Sequence, residues 1–201
     1  MKTTLKIATL VLAFAGLSFA AKAQTTSSSA STTTKSGIRY SIGVESGITV
    51  GDFKDTHKWN LGGSVQADIP VANQLFVTVN AGYNNFFGAK NDATGLTASD
   101  IHLIPVKAGI KYFVVPNFYV QGEAGAAFLL NKDEFYGKTD NGKSVAFVYA
   151  PQIGVQFPVS ASGNFIDAGI RYEATSKYNT TIANSINSKV QFLGLRLAYG
   201  F

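Results

Sequence analysis

Leu193-Gly194-Leu195-Arg196-Leu197-Ala198-Tyr199-Gly200-Phe201 alternates without a break. Leu193, Leu195, Leu197, Tyr199 and Phe201 fall on one parity, and Gly194, Arg196, Ala198 and Gly200 on the other. Strict period-2 alternation puts the two sets on opposite faces of an extended strand. One face is oily along its length, and the other is small or charged.

The same pattern recurs seven more times going back to Gly37. Ile38 to Val50 sets Ile42, Val44 and Ile48 against Arg39, Ser41 and Glu45. Trp59 to Ile69, Leu75 to Asn84, Ile104 to Tyr112, Val120 to Phe128, Phe147 to Phe157 and Ile166 to Glu173 repeat it. Eight such segments predict an all-β fold, and no stretch shows a convincing helical period.

Alternation alone leaves open which face meets lipid. A soluble lipocalin-like barrel alternates too, with its apolar face inward. Three features favour the membrane orientation. Short connections near Pro70–Asn73, Val114–Asn117 and Pro158–Asn164 alternate with longer ones at about Gly51–Lys58, Phe86–Ser99, Leu130–Ser144 and Thr175–Ser188. Short inner turns and long outer loops are the signature of outer-membrane barrels. Aromatic residues collect at both ends of the apolar face: Trp59, Tyr83, Phe128, Phe147, Tyr149 and Tyr172 toward the long loops, and Tyr40, Tyr112, Phe157, Tyr199 and Phe201 toward the short turns. Amphipathic rings gain most at the two membrane–water boundaries. The polar face carries Arg39, Lys107, Lys111, Arg171 and Arg196 together with Glu45, Asp68, Glu123, Asp167 and Glu173. Equal numbers of each sign suit a narrow lumen, where an unpaired charge is costly. The prediction is an eight-stranded antiparallel up-and-down transmembrane β-barrel over residues 37–201.

The N-terminus reads as an export signal. Lys2 and Lys6 precede the apolar run Ile7 to Ala20, and Ala21-Lys22-Ala23 offers a small-x-small cleavage site before Gln24. The run is shorter than the roughly 20 residues that a membrane-spanning helix needs. Residues 1–23 are therefore expected to be removed between Ala23 and Gln24. Residues 24–36 form a Ser/Thr-rich leader with almost nothing to bury, expected to be flexible. The formal charge of +5 largely belongs to the signal: without Lys2, Lys6 and Lys22 the 17 basic residues fall to 14, against 12 acidic ones. Those that remain are scattered, so nucleic acid is excluded as a partner. With no cysteine, neither disulfides nor a lipidated N-terminal cysteine is available.

Ile104-Pro105-Val106-Lys107-Ala108-Gly109-Ile110-Lys111-Tyr112-Phe113 and the ending Gly194 to Phe201 resemble the outer-membrane β-barrel domain proteins common in Bacteroidota. Those are grouped with PorT-like barrels and, more loosely, with OmpA, OmpX and OmpW. The resemblance covers roughly Gly37 to Phe201. It implies that Leu195, Leu197, Tyr199 and Phe201 form the signal read by the barrel-assembly machinery. It also implies a place in the outer membrane, reached through the periplasm. The peptidoglycan-binding domain that follows the barrel in OmpA is not expected after Phe201.

Chemistry is not expected. Eight strands leave an interior just wide enough for side chains. Ser99 and His102 invite an acyl-transfer reading, but three residues apart on a strand they face opposite ways. His57 follows Asp52 and Asp55 and could suggest a metal site, yet a solvated loop tip is the expected reading. No cofactor or metal is expected. The leading function is a non-enzymatic structural or loop-mediated binding role, as a monomer in outer-membrane lipid. The expected contact is an extracellular protein or glycan, with Leu130 to Ser144 as its surface. The alternative is a narrow transporter for small hydrophobic molecules, for which Phe76, Leu103 and Phe192 supply inward apolar side chains.

Overall fold

The computed structural model describes residues 37–90, 95, 97–131, 143–178 and 189–201. Residues 1–36, with the expected signal, cleavage site and leader, lie outside the described residues, as does most of the Leu130–Ser144 connection.

Eight strands follow in order: β1 Arg39–Thr49, β2 His57–Ala72, β3 Leu75–Gly88, β4 Ile101–Val115, β5 Phe118–Leu129, β6 Val145–Pro158, β7 Phe165–Thr175 and β8 Gln191–Gly200. Each pairs antiparallel with its chain neighbour, and β8 pairs back onto β1, so the sheet closes. The closing ladder runs from Ser41↔Gly200 to Thr49↔Phe192. Tyr40 and Phe201 exchange backbone hydrogen bonds of 3.1 and 2.9 Å beyond it. Closure satisfies every strand edge, which a sheet surrounded by lipid requires.

The connections set the polarity of the barrel. Residues 73–74 and 116–117 make tight turns, with Gln74 at φ 65° and Asn117 at φ 71°. Asn tolerates the left-handed region through local hydrogen bonding; Gln there is uncommon. The third short connection, 159–164, turns at Gly163, φ 88°. At the opposite end, 89–100, 130–144 and 176–190 are long. The connection expected at Gly51–Lys58 is not: it tightens into a 3-10 turn over Gly51–Asp55, and β2 starts at His57. The cause is Phe53, which is buried in the barrel mouth edge-on to Phe86, ring centres 5.5 Å apart, and draws the turn inward.

The faces divide as the alternation predicts. Ile42, Val44, Ile110, Leu195 and Leu197 are each more than half exposed on the outside, while Asp68, Lys107, Lys111, Arg171 and Arg196 are all at 2% exposure or less. A water-soluble protein inverts this arrangement, because each exposed aliphatic side chain would forgo about 1.5–3 kcal/mol of burial. Both aromatic belts stand on the outer wall. Trp59 stacks on Phe87 at 4.1 Å near the long-loop rim, and Tyr40 lies against Phe201 at 6.4 Å near the other.

Candidate functional site in the barrel lumen

Every strand contributes to the lumen. Arg39 and Glu45 come from β1, Asp68 from β2, Lys107 and Lys111 from β4, Glu123 from β5, Asp167, Arg171 and Glu173 from β7, and Arg196 from β8. β3 and β6 supply neutral partners, Thr78 and Asn80 on one and Gln152 and Gln156 on the other. Because these positions share one parity, pleating alone turns them inward.

The ten charged side chains join into one continuous chain of ion pairs. Arg39 meets Asp68 at 3.3 Å, and Lys111 bridges Asp68 at 2.7 Å and Asp167 at 3.7 Å. Arg196 links Asp167 at 3.4 Å to Glu45 at 3.5 Å. Arg171 then touches Glu45 at 3.1 Å, Glu123 at 3.3 Å and Glu173 at 3.8 Å. Lys107 closes the chain on Glu173 and, at 4.0 Å, on Glu123. Five cations meet five anions, so the charges paired in the lumen balance. Buried ions in low dielectric repel any imbalance by several kcal/mol.

Neutral groups complete the network. Ser64 donates to Glu45 at 2.6 Å and Thr78 to Glu123 at 3.1 Å. Gln152 and Gln156 donate to Tyr119 Oη and Asp167 at 2.5 and 2.7 Å. Tyr119, fully buried, donates in turn to Asp167 at 2.8 Å. Its ring lies across Gly154 and Gly169, where a Cβ on Gly154 would come within 2.4 Å of the phenol oxygen. The lumen glycines are thus the floor on which large side chains from facing strands lie.

Below this network, at the short-turn end, the Arg39 guanidinium sits 4.2 Å over the Phe76 ring and 5.2 Å from that of Phe165. Above it, at the long-loop end, the interior becomes apolar. Phe53, Phe86, Ile101, Leu103, Leu129, Val148, Tyr178, Val190 and Phe192 form one buried cluster. Phe86 and Phe192 meet edge to face at 5.4 Å. The lumen therefore has three storeys, aromatic, ionic and apolar.

His57 corrects the reading of a solvated loop tip. It is 2% exposed and stacks on Phe53 at 4.5 Å. Its Nε2–H donates to the Ser99 carbonyl at 3.0 Å while Nδ1 pairs with Thr56 Oγ1 at 2.9 Å. Both nitrogens are engaged in tying the first turn to the start of β4. His102 lies on the outer wall, 2.8 Å from Tyr83 Oη, and Ser99 is exposed beside the rim. The two are not brought together. Among the described residues, no group of three or more His, Asp or Glu is arranged to hold a metal ion.

Tyr119 and most of the apolar storey escape a reading of the sequence. Tyr119 stands just before the alternating part of β5. Phe86, Ile101 and Leu129 lie beyond the strand ends expected from alternation. Their signal is faint: inward parity continued past the rim, carrying apolar instead of polar residues.

A closed, even-stranded barrel with an oily wall, two aromatic belts and a polar interior is a transmembrane β-barrel of the outer-membrane kind. The model of the family described as outer membrane protein beta-barrel domain matches residues 9–201, and the chain belongs to that family. Its location is accordingly the outer membrane. A search of curated protein sequences returns no match. Among solved structures the chain is similar in fold to Ail of Yersinia pestis in a phospholipid bilayer nanodisc, at 17% identity and a TM-score of 0.50, covering 81% of this chain and 99% of that one. Neisserial surface protein A gives 15% identity and a TM-score of 0.49 over 81% and 94% of the two chains. OprG of Pseudomonas aeruginosa gives 13% and 0.45 over 82% and 94%.

Proposed function

We propose that the protein is a non-enzymatic barrel of the outer membrane whose lumen is shut, and whose work is done by its wall and outer loops. The observation that carries this reading is the continuous ion-pair chain from Arg39 to Lys107, which fills the barrel at mid-height. A solute moving through it would have to part several buried ion pairs at once, each break costing about 3–5 kcal/mol. Rigid barrels present variable loops, and loops on such a scaffold commonly carry binding. An extracellular protein or glycan is the partner this reading assigns to them. Export proceeds by the N-terminal signal, with cleavage after Ala23, and Leu195, Leu197, Tyr199 and Phe201 serve the assembly machinery. The narrower likeness to PorT-like barrels rests on the Ile104–Phe113 and Gly194–Phe201 stretches.

Single-channel recording in planar bilayers tests the closed lumen. The refolded protein should give no reproducible conductance step. A defined, repeatable step from the unaltered protein would refute the reading.

A transporter of small hydrophobic molecules has one observation in its favour, the apolar storey at the long-loop end. A hydrophobic solute could settle among Leu103, Phe86 and Phe192, but the ionic storey below would stop it. Uptake of a hydrophobic dye into liposomes that rises with barrel content would favour transport.

A further inference from the structure

Barrel closure pairs every strand edge, yet two ladders skip a step in mid-wall. Of the five prolines, Pro70, Pro116 and Pro158 stand at the short turns, while Pro105 and Pro151 stand inside β4 and β6. Between β3 and β4 the pairing passes from Ala81↔Val106 to Asn84↔Leu103 and omits Pro105. Between β6 and β7 it passes from Gln152↔Arg171 to Tyr149↔Ala174 and omits Pro151. Proline has no N–H to give to a neighbouring strand and is rare inside a sheet. In a wall that faces lipid, no water stands ready to replace the lost bond.

Both gaps border the same panel of wall, β4 to β6. Within it Pro105 keeps its partner Ala127 on β5, and Pro151 keeps its partner Gly122 on the same strand. The missing donors therefore face β3 and β7, the two borders of the panel. Both gaps also fall where the lumen changes character. The inward series of β4 runs Leu103, Pro105, Lys107, and that of β6 runs Val148, Ala150, Gln152, with Pro151 between the last two. Apolar residues lie on the long-loop side of each break and polar ones on the other.

The two halves of the panel are held unequally. Below the gaps the border ladders run from Ala81↔Val106 to Leu75↔Tyr112 and from Gln152↔Arg171 to Pro158↔Phe165. Lys107, Lys111 and Glu123 add ion pairs to Glu173, Asp68 and Arg171 on strands outside the panel. Above the gaps the ladders are short, Asn84↔Leu103 to Phe86↔Ile101 on one border and Tyr149↔Ala174 with Val148↔Thr175 on the other. Tyr83 Oη lies 2.8 Å from His102 Nδ1 across the first border, and the Ser176 N–H donates to the Phe147 carbonyl at 2.7 Å across the second. Inward, Leu103, Leu129 and Val148 of the upper half share one apolar cluster with Phe86 and Phe192.

We propose that the upper half of β4 to β6 is a leaf that swings outward on Pro105 and Pro151 while the lower half stays fixed. Lipid tails are as apolar as leucine, so the moving leaf exchanges one apolar neighbour for another. The lower half cannot follow, because it would have to part buried ion pairs. The ionic storey stays closed in both positions. What opens, toward the bilayer, is the apolar storey above it.

Methyl relaxation dispersion by NMR, on the full chain in lipid nanodiscs, reads this motion. Ile101, Leu103, Leu129 and Val148 should share one exchange process on the microsecond-to-millisecond scale, with a minor state of about 0.1–10%. Ile110, Val120 and Ile153, on the lower half of the same strands, should show none. Pro105→Val/Pro151→Val supplies both missing N–H donors and should quench the exchange. If that variant fails to fold, Tyr83→Cys/Ile104→Cys replaces it, two positions opposite each other across the β3–β4 gap. Oxidation of that pair to a disulfide should quench the exchange, and reduction should restore it. Flat profiles in the upper half of the unaltered protein would overturn the proposal. So would equal exchange in both halves, or exchange that persists unchanged once the donors are supplied or the disulfide is closed.

Discussion

Arg171 on β7 reaches past β8 to Glu45 on β1, its Nη1 lying 3.1 and 3.2 Å from the two carboxylate oxygens. The two residues stand on strands that share no ladder, so the contact exists only because the sheet closes. Glu45 also takes Ser64 and Arg196, which makes it the point where the two halves of the ionic chain meet.

Removing one end of that contact should be expensive. Glu45→Ala leaves Arg171 buried with its charge less compensated, and unfolding by urea in lipid vesicles should show a loss of about 3–5 kcal/mol. Glu45→Leu/Arg171→Met, which keeps the lumen charges equal in number, should recover part of it, the remainder being what Glu123 and Glu173 lose when Arg171 goes. A Glu45→Ala variant as stable as the unaltered protein would argue against a closed, low-dielectric lumen.

The glycine floor predicts a steric effect. A Cβ at position 154 meets the Tyr119 ring and hydroxyl, so Gly154→Ala should destabilise by about 1–3 kcal/mol. In a Tyr119→Leu background the added cost of Gly154→Ala should fall, and a double-mutant cycle measures the difference.

The apolar storey should behave as a core of its own. Phe192 is 1% exposed and packs edge to face on Phe86. Phe192→Ala should cost about 3–5 kcal/mol in equilibrium unfolding, and conductance should remain nil because the ionic storey is untouched. A channel appearing in this variant would place the seal at the mouth.

The last strand separates folding from delivery. Phe201→Ser should reduce the amount of barrel in the outer membrane of cells, measured by fractionation, while the purified chain still refolds in detergent. Equal loss in both assays would assign Phe201 to stability alone.

Much of this was legible in the sequence because period 2 is a local property. Leu195 and Arg196 reveal opposite faces without any knowledge of their neighbours, and the oily set is long enough to require lipid. The ten lumen charges could be placed on one face for the same reason, but not paired: Arg171 and Glu45 are joined by barrel closure and stagger, which no spacing encodes. His57 was misread because a polar residue among Asp52, Asp55 and Lys58 resembles a solvated loop. Its burial depends on Phe53 turning inward to meet Phe86, a long-range contact. Tyr119 shares the inward parity of Gln121 and Glu123, but its hydrogen bond to Asp167 on β7 depends on a contact across the barrel that no local spacing encodes.

The central claim, an oily exterior around a sealed ionic interior, is tested most directly by nitroxide accessibility. The absence of native cysteine allows single labels at Ile42, Val106, Leu195 and the inward Ala198 in the barrel reconstituted in bilayers. Labels at 42, 106 and 195 should be relaxed by oxygen dissolved in lipid and shielded from a water-soluble nickel complex, while a label at 198 is shielded from both. Strong nickel relaxation at 42, 106 and 195 would contradict the account.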